Sequence, residues 1–460
     1  MSTVETKGRN VGGTECSWCK AIRGGTGIAV LSLLITKPID ISRFQTSLHK
    51  LQNSHPILRS KLHTSSSSTD TTFSFLTSHT PFIKIESHNI NVTSNILAKN
   101  KNDTVSISPL QQIMEHELNR NTWQDRTGID TDMFVASIYA MPDEKTWVVV
   151  MRLHVAACDR TTAVSLLREL LVLMKDEEKE ENVVVVEDVV PLAIEDLVPG
   201  RKGKKHIWAR GLDVLSYSVN SFRFTNLKFN DTKNARFSQV VRMQLNQTDT
   251  KRVLDGCKQS RIKLCGAITA AGLMAAHSNK TNSSKKYGII TLTDCRSTLD
   301  PPLSNHNFGF YHAAILNNHV IKGGESLWEL AKRTYGAFAN SKNNDKHFTD
   351  MADMNFLMSK AIENPGLTSS LRTSIMSVFE DTVVDDDGMM QQEVGVEDYM
   401  GCASVHGLGP SMGIFDTIRD GRLDCVCVYP APLHAREQMQ ELINKMKAIL
   451  IEGGKTYEEY

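Results

Sequence analysis

The chain has 460 residues, of which 40% are apolar and 23% charged, and its 52 basic side chains balance its 52 acidic ones. This length suits two domains of about 200 residues each, and the zero net charge gives no sign of nucleic acid or an anionic membrane as a partner. No run of about 18 apolar residues occurs, so no membrane-spanning helix is predicted.

The cysteines indicate the compartment. Nine of them are scattered along the chain, an odd number for a fully bridged secreted protein. Reduced thiols and a cytoplasmic location are therefore expected. A monomer is also expected, although no feature of the sequence indicates the oligomeric state. Cys16 and Cys19 have the spacing of a metal or redox motif, but no second pair of ligands follows, so no metal site is predicted.

The first elements follow from apolar runs and their breakers. Residues 27–36 are almost continuously apolar, which predicts a buried strand. Pro38 ends that strand, and Asp40 or Ser42 can cap the helix that follows. Pro56 ends the helix, and the apolar stretch 56–62 predicts a second strand.

Two further strands, 133–140 and 146–153, precede an amphipathic helix over 162–175 with leucines on one face. The charged run 176–181 is interpreted as a solvated loop, followed by a short strand at 183–186. The basic cluster 201–205 is interpreted as part of a solvated linker.

The second half of the chain repeats the alternation of strands and helices. Strands are predicted at 237–245, 287–293, 412–417 and 423–429, and helices at 248–259, 267–277, 327–339, 348–359 and 434–450. This pattern predicts an α/β protein with an N-terminal lobe over 1–200, a crossover linker over 201–235 and a C-terminal lobe over 236–460.

The first candidate site lies at the end of the strand 146–153. His154 and Asp159 are there, with Cys158 between them, where side chains can project from a rigid strand into a cleft. An imidazole can take the proton of an attacking hydroxyl or amine, and a carboxylate can fix the local geometry. The alternative is that His154 is a core residue and Asp159 a helix cap.

Two other stretches add candidates. Arg296 follows a buried strand, where an arginine needs a carboxylate, and Asp159 is the expected partner. Asn307 and His312 come shortly after it. The third stretch is a Gly-rich loop from His406 through Ser411, which lacks the Lys-Ser/Thr ending of a nucleotide-phosphate loop.

Together these stretches resemble the superfamily of BAHD acyltransferases, alcohol acetyltransferases and condensation domains of nonribosomal peptide synthetases. The likeness is greatest to plant condensation-like members of specialised metabolism. It implies two chloramphenicol-acetyltransferase-like lobes, each a mixed sheet flanked by helices, with a substrate channel between them. The family motif is His-His-x-x-x-Asp. When it is aligned on its Asp, the resemblance implies that Asp159 is the structural carboxylate, that Arg296 is its partner and that His154 takes the place of the first histidine.

The sequence departs from that motif at the second histidine, which is the general base in the family. Val155 stands there, and valine cannot accept a proton. Arg160 replaces the glycine that usually follows the Asp in condensation domains, and residues 409–413 replace the tryptophan-containing motif of BAHD enzymes.

Three hypotheses follow. The first is an acyltransferase that uses no bound cofactor and takes acyl-CoA as co-substrate with a small hydroxyl or amine acceptor. In it, His154 or a nearby histidine such as His312 or His406 replaces the base. The second is a non-catalytic member that binds a metabolite or a protein. The third is another reaction in the same channel that uses Cys158 or His154, although Cys158 is more simply an inert buried thiol.

Overall fold

The computed structural model describes residues 7–66, 71–99, 105–124, 128–175, 190–200, 224–277, 284–363 and 372–456. The predicted charged loop 176–181, strand 183–186 and basic cluster 201–205 lie outside these ranges, as does most of the predicted linker 201–235. None of the helices in the described ranges is long and apolar enough to cross a lipid bilayer.

The strands, in chain order, are β1 Lys7–Asn10, β2 Thr26–Ile35, β3 Ser60–Ser66, β4 Thr71–Thr77, β5 Ile85–His88, β6 Thr131–Asp132, β7 Phe134–Ala140, β8 Trp147–His154, β9 Phe237–Gln244, β10 Lys285–Asp294, β11 His312–Ile321, β12 Met376–Phe379, β13 Val383–Asp385, β14 Val396–Val405, β15 Gly413–Arg419 and β16 Arg422–Ala431.

The helices are α1 Gly13–Arg23, α2 Ile41–Ser54, α3 Ile90–Ala98, α4 Pro109–Leu118, α5 Arg160–Lys175, α6 Ile194–Leu197, α7 Gln247–Ser260, α8 Leu264–His277, α9 Leu327–Asn343, α10 Lys346–Thr349, α11 Met351–Glu363, α12 Gly388–Val394 and α13 Arg436–Lys455. The described part of the chain also contains three short 3-10 turns, at Pro56–Arg59, Val155–Ala157 and Arg296–Thr298.

The chain forms two compact units that are not consecutive in sequence. The first unit contains Met1–Leu197, Arg296–Tyr311 and Asp387–Ala403, and the second contains the rest. The predicted C-terminal lobe was one continuous stretch, so the structure corrects it at two places. The reasons are that β14 pairs with β2 of the first unit and that Arg296 bonds to Asp159 there.

The first unit holds a five-stranded sheet, in the order β14-β2-β8-β7-β5, and a four-stranded sheet, β1-β4-β3-β6. Strand β2 runs antiparallel to β8, which is antiparallel to β7. The buried leucines, valines and isoleucines of β2 and β8 make them central strands, because both faces are covered. Asp40 caps α2 by accepting from the amides of Ser42 and Arg43, as predicted.

The second unit is built on one large mixed sheet, β11-β10-β12-β15-β16-β9, with β13 beside β15. Helix α8 is buried on all sides, and its alanines and glycines allow neighbouring segments of the same chain to approach closely. At Gly272 a Cβ atom would stand only 2.1 Å from the Met376 side chain. A larger residue at Gly272 would therefore require the flexible end of the Met376 side chain to move.

Most of the predicted elements are present, with bounds that differ by a few residues, but some assignments are wrong. Residues Pro56–Arg59 form a 3-10 turn and the strand starts only at Ser60, because Pro at the first position favours a turn. Helices α1 and α4 and strands β11 and β14 were not predicted.

Candidate functional site

Asp159 lies where β8 gives way to α5. The strand ends at His154, a 3-10 turn covers Val155–Ala157, and α5 starts at Arg160. The carboxylate Oδ1 of Asp159 accepts a hydrogen bond from the Thr162 amide at 2.8 Å. Asp159 is therefore the N-cap of α5, where a carboxylate satisfies a free helix amide and faces the positive end of the helix dipole.

The same carboxylate forms the predicted ion pair with Arg296. The guanidinium Nη1 donates to Oδ2 at 2.8 Å and Nη2 donates to Oδ1 at 3.0 Å, so the pair is bidentate. Both side chains are almost completely buried. The Tyr311 amide adds a further bond to Oδ2 at 2.8 Å, and the Tyr311 ring lies 4.8 Å from the guanidinium carbon. The charge on each partner is thus matched inside the protein.

Thr162 completes this cluster. Its hydroxyl donates to the Gly309 carbonyl at 3.0 Å and accepts from the Gly309 amide and from Nη2 of Arg296. Arg296 also donates to the Asn307 carbonyl, at 3.2 and 3.3 Å. The start of α5 and the segment 304–311 are therefore fixed to each other through buried, satisfied polar groups.

His154 is fully buried and has the wrong tautomer for a base. Its Nδ1 accepts from the Ala156 amide at 3.0 Å, so the ring proton of the neutral form lies on Nε2. The ring meets Trp123 edge-on, 5.3 Å between centroids. Burial lowers the pKa of His154 to about 3. The catalytic role of His154 stays a prediction, and this geometry argues against it.

The general-base position is apolar. Val155 is 7% exposed. A Cβ atom on Gly27 would come within 2.7 Å of Val155 Cγ1 and 3.2 Å of the Trp18 ring, so only glycine leaves room there. Trp18 in turn lies 5.3 Å from Phe310, measured between ring centroids. No proton-transfer group stands at Val155.

The remaining candidates in the first unit have clear structural positions. Cys158 is buried, and burial with the neighbouring Asp159 charge raises its thiol pKa, so the thiol stays protonated. Cys16 and Cys19 lie inside α1, which the sequence did not predict as a helix. Burial and Glu15 raise the pKa of Cys19. Within the described ranges, no group of three or more His, Cys, Asp or Glu residues could hold a metal ion.

Three candidates belong to the second unit. His312 is the first residue of β11, and its ring meets Phe379 edge-on. His406 bonds through Nδ1 to the Ser238 hydroxyl at 3.0 Å. Ser411 is completely buried. The structure thus groups Asp159, Arg296 and Asn307 in the first unit, whereas His312, His406 and Ser411 belong to the second unit.

Sequence reasoning missed three residues that shape the cluster, namely Trp18, Thr162 and Tyr311. Thr162 carried a usable signal, because it stands three residues after a capping Asp, where its amide meets the cap. Trp18 and Tyr311 gave none, since they come from distant parts of the chain and meet the cluster only in the folded unit.

Neither the protein-family models nor the curated proteins gave a match to this sequence. Solved structures did. The TRI3 trichothecene 15-O-acetyltransferase from Fusarium sporotrichioides is 10% identical, with a TM-score of 0.71 over 97% of this chain and 95% of that one.

Two further structures are similar. The cyclization-docking bidomain of the EpoB nonribosomal peptide synthetase from Sorangium cellulosum is 13% identical, with a TM-score of 0.68 over 97% of this chain and 85% of that one. The X-domain from teicoplanin biosynthesis is 13% identical, with a TM-score of 0.60 over 99% and 96%. The chain therefore has the α/β fold of the condensation-domain and acetyltransferase structures, as the resemblance predicted.

Proposed function

We propose that this chain, which has the fold of condensation domains and acetyltransferases, transfers an acyl group from a thioester to an amine acceptor. The observation that carries the proposal is the pairing of an intact scaffold with a missing base. Asp159 and Arg296 hold the end of β8 in a buried bidentate pair, while the base position next to it is Val155.

An amine acceptor fits such a site because it needs less help with its proton. A hydroxyl must lose its proton as it attacks, and a positioned base typically contributes about 100- to 10,000-fold to that step. The neutral fraction of an amine attacks with its own lone pair, the new N–C bond forms, and the C–S bond breaks. The departing thiolate then takes up the proton from nitrogen, either directly or through a water molecule.

Positioning alone can supply much of the rate. Two reactants held in a reactive geometry gain several kcal/mol relative to free collision. The fixed end of β8 and the apolar side chains of Val155 and Trp18 provide a rigid, water-poor surface for this purpose. As donor we expect acyl-CoA, and as acceptor a small metabolite.

The test is release of free thiol from short, branched and aromatic acyl-CoAs, with pairs of acceptors that differ only in amine against hydroxyl. The proposal expects the amine of each pair to react faster in the presence of the protein, relative to the uncatalysed reaction. Equal rates for both acceptors, or no release above background with any donor, would overturn it.

A second candidate function is binding without catalysis, and the packing of Val155 favours it. Gly27 and Trp18 close in on Val155 so tightly that the base position is part of the apolar interior. The X-domain of teicoplanin biosynthesis, which shares the fold, has been solved in complex with OxyB. A ligand that raises the melting temperature while no thiol is released would support binding over transfer.

A further inference from the structure

The Gly-rich loop from His406 to Ser411 has no part in the proposed reaction, and it surrounds a buried arginine. Arg372 is 1% exposed. Its Nη1 donates to the Gly407 carbonyl at 2.7 Å and its Nη2 to the Val405 carbonyl at 2.8 Å, and Nε bonds to the Pro410 carbonyl at 3.1 Å. All three acceptors are neutral, so the charge of Arg372 has no counter-charge among its hydrogen-bond partners.

A second arginine stands next to this loop. Arg236 immediately precedes β9 and is half-buried. Within the described ranges, its guanidinium has no carboxylate or other acceptor, and burial lowers its pKa. Two residues on, the Ser238 hydroxyl bonds to His406 and accepts from the Val405 amide at 3.0 Å. Ser238, at the start of β9, therefore holds the end of the strand next to Arg236 against the loop.

Two histidines, the half-buried His406 and the buried His434, also lie at this loop. The His434 amide bonds to the Pro430 carbonyl, and Pro430 pairs with Ser238. The ring Nδ1 donates to the Lys228 carbonyl at 3.2 Å, which leaves the buried Nε2 unprotonated and, in the described part of the chain, without a hydrogen bond. Burial and the Arg372 charge lower the pKa of both His406 and His434 to about 4.

We infer that the loop 406–411 and Arg236 form a binding site for an oxyanion of the phosphate class. Uncompensated buried charge is costly, and an anion would supply the missing counter-charge. Arginine is well suited to phosphate because its planar guanidinium donates two parallel bonds. Arg372 is a positioning residue that fixes the loop, while Arg236 and His406 contact the ligand.

Two further groups fit this assignment. The Ser411 hydroxyl at the end of the loop and the Thr373 hydroxyl on the adjoining segment are both buried, and neither has a hydrogen-bond partner within the described residues. The Thr373 amide bonds to the Gly409 carbonyl, and the Ser411 amide to the Ser374 carbonyl. The two segments thus present hydroxyl donors beside the arginines.

The experiment is calorimetric titration of the full chain with inorganic phosphate, with ionic strength held constant by chloride. Wild type is expected to bind phosphate over chloride. Arg236→Gln should weaken binding about tenfold or more, as expected for the loss of a charged hydrogen-bond donor. Arg333→Gln is the matched control, because Arg333 lies in the same unit with its side chain 48% exposed, and it should bind as wild type does.

No binding of phosphate beyond that of chloride would overturn the inference, and so would equal affinity of wild type and Arg236→Gln. If Arg236→Gln fails to fold, His406→Gln takes its place, with the same expected loss. Competition by coenzyme A would identify a phosphate ester as the ligand, whereas phosphate binding without competition would identify a free oxyanion.

This site does not depend on the proposed acyl transfer. A protein that binds phosphate but releases no thiol keeps the site and loses the reaction. A protein that releases thiol but does not bind phosphate, as ion or as ester, loses only the site.

Discussion

At the scale of single residues, the Asp159–Arg296 pair decides the geometry of the candidate site. The Asp159 carboxylate accepts hydrogen bonds from three groups, namely the Arg296 guanidinium and the amides of Thr162 and Tyr311. The sequence predicted Asp159 both as a helix cap and as the partner of Arg296, and both predictions are confirmed. One buried carboxylate satisfies a helix end and a cation together, which makes neither partner replaceable alone.

We expect Arg296→Ala to lower the free energy of unfolding by about 3–5 kcal/mol, because it leaves a buried carboxylate without its cation. Chemical denaturation followed by circular dichroism measures this. Arg168→Ala is the control, since the Arg168–Asp387 pair is 44% exposed at the arginine and exposed pairs are worth about 1 kcal/mol or less. Equal stability of Arg296→Ala and wild type would contradict the importance of the pair.

Val155 is the residue that separates this chain from the family motif. We expect Val155→His to raise turnover of a hydroxyl acceptor by about tenfold or more, since a positioned imidazole can take its proton. The measurement is thiol release from acyl-CoA, and Val155→Leu is the control that changes size without adding a base. Unchanged turnover would mean that no acceptor is bound beside this position.

At the scale of elements, α5 binds the segment 304–311 through one polar stripe. Asp159, Thr162, Ser165 and Glu169 are three or four residues apart, so they share one helix face. Ser165 donates to the Asn305 carbonyl at 3.0 Å. Glu169 bonds to His306 at 2.9 Å and to His55 at 2.6 Å. The helix thereby orients the segment that carries the Asn307 and Gly309 carbonyls.

Substitution of Thr162 measures how much this polar stripe contributes to stability. Thr162→Val keeps the shape but removes three buried hydrogen bonds, so we expect a loss of about 1–3 kcal/mol of stability. Thr46→Val, on the exposed face of α2, is the control and should stay within about 0.5 kcal/mol of wild type. A loss no larger than that of Thr46→Val would show that the hydroxyl does not hold the segment.

In the second unit, Glu380 at the end of β12 links several elements. Its 5% exposed carboxylate bonds to Lys263 before α8 at 2.8 Å, and also to Lys342 of α9 and to the Thr293 hydroxyl of β10. These partners lower the pKa of Glu380 to about 2 against the opposing effect of burial. The folded protein thus holds this group ionised more strongly than the unfolded chain does.

The contribution of Glu380 to stability depends on pH. The stability from Glu380 is present above its unfolded pKa of about 4.5 and is lost as the pH falls through about 2. Glu380→Gln should therefore cost up to about 3 kcal/mol at pH 7, and less as the pH falls below 4.5. Denaturation at several pH values measures the difference, with the exposed Glu441→Gln as control. A difference independent of pH would refute this role.

At the scale of the whole molecule, the first unit takes residues from three parts of the chain. Strand β14 borders β2, and Arg296 neutralises Asp159. A fragment that ends near residue 200 would lack both. Its β2 edge would be open to aggregation and its Asp159 charge would be buried without a partner.

We therefore expect residues 1–200 expressed alone to show no cooperative unfolding transition. The full chain under the same conditions is the control, and near-ultraviolet circular dichroism with denaturant is the measurement. A sharp transition in the fragment would show that the first 200 residues are sufficient for the fold.

By itself, the sequence determined the local elements and the candidate residues. Apolar runs gave the central strands β2 and β8, and the capping Asp40 and the proline after α2 gave its ends, because these signals act over a few residues. The need of a buried arginine for a carboxylate predicted the pairing of Arg296 with Asp159, and the resemblance to a known superfamily predicted both that pairing and the fold that the solved structures share.

Only the tertiary structure decided which segments make a unit and how the side chains are used. That β14 joins β2, that Trp18 and Gly27 enclose Val155, and that His154 has its Nδ1 bonded to Ala156 all depend on contacts between distant residues. The Arg372 guanidinium likewise meets the Val405 and Gly407 carbonyls only in the folded chain. Burial and hydrogen-bond partners are set by packing, and packing sums many weak contacts that no local pattern encodes.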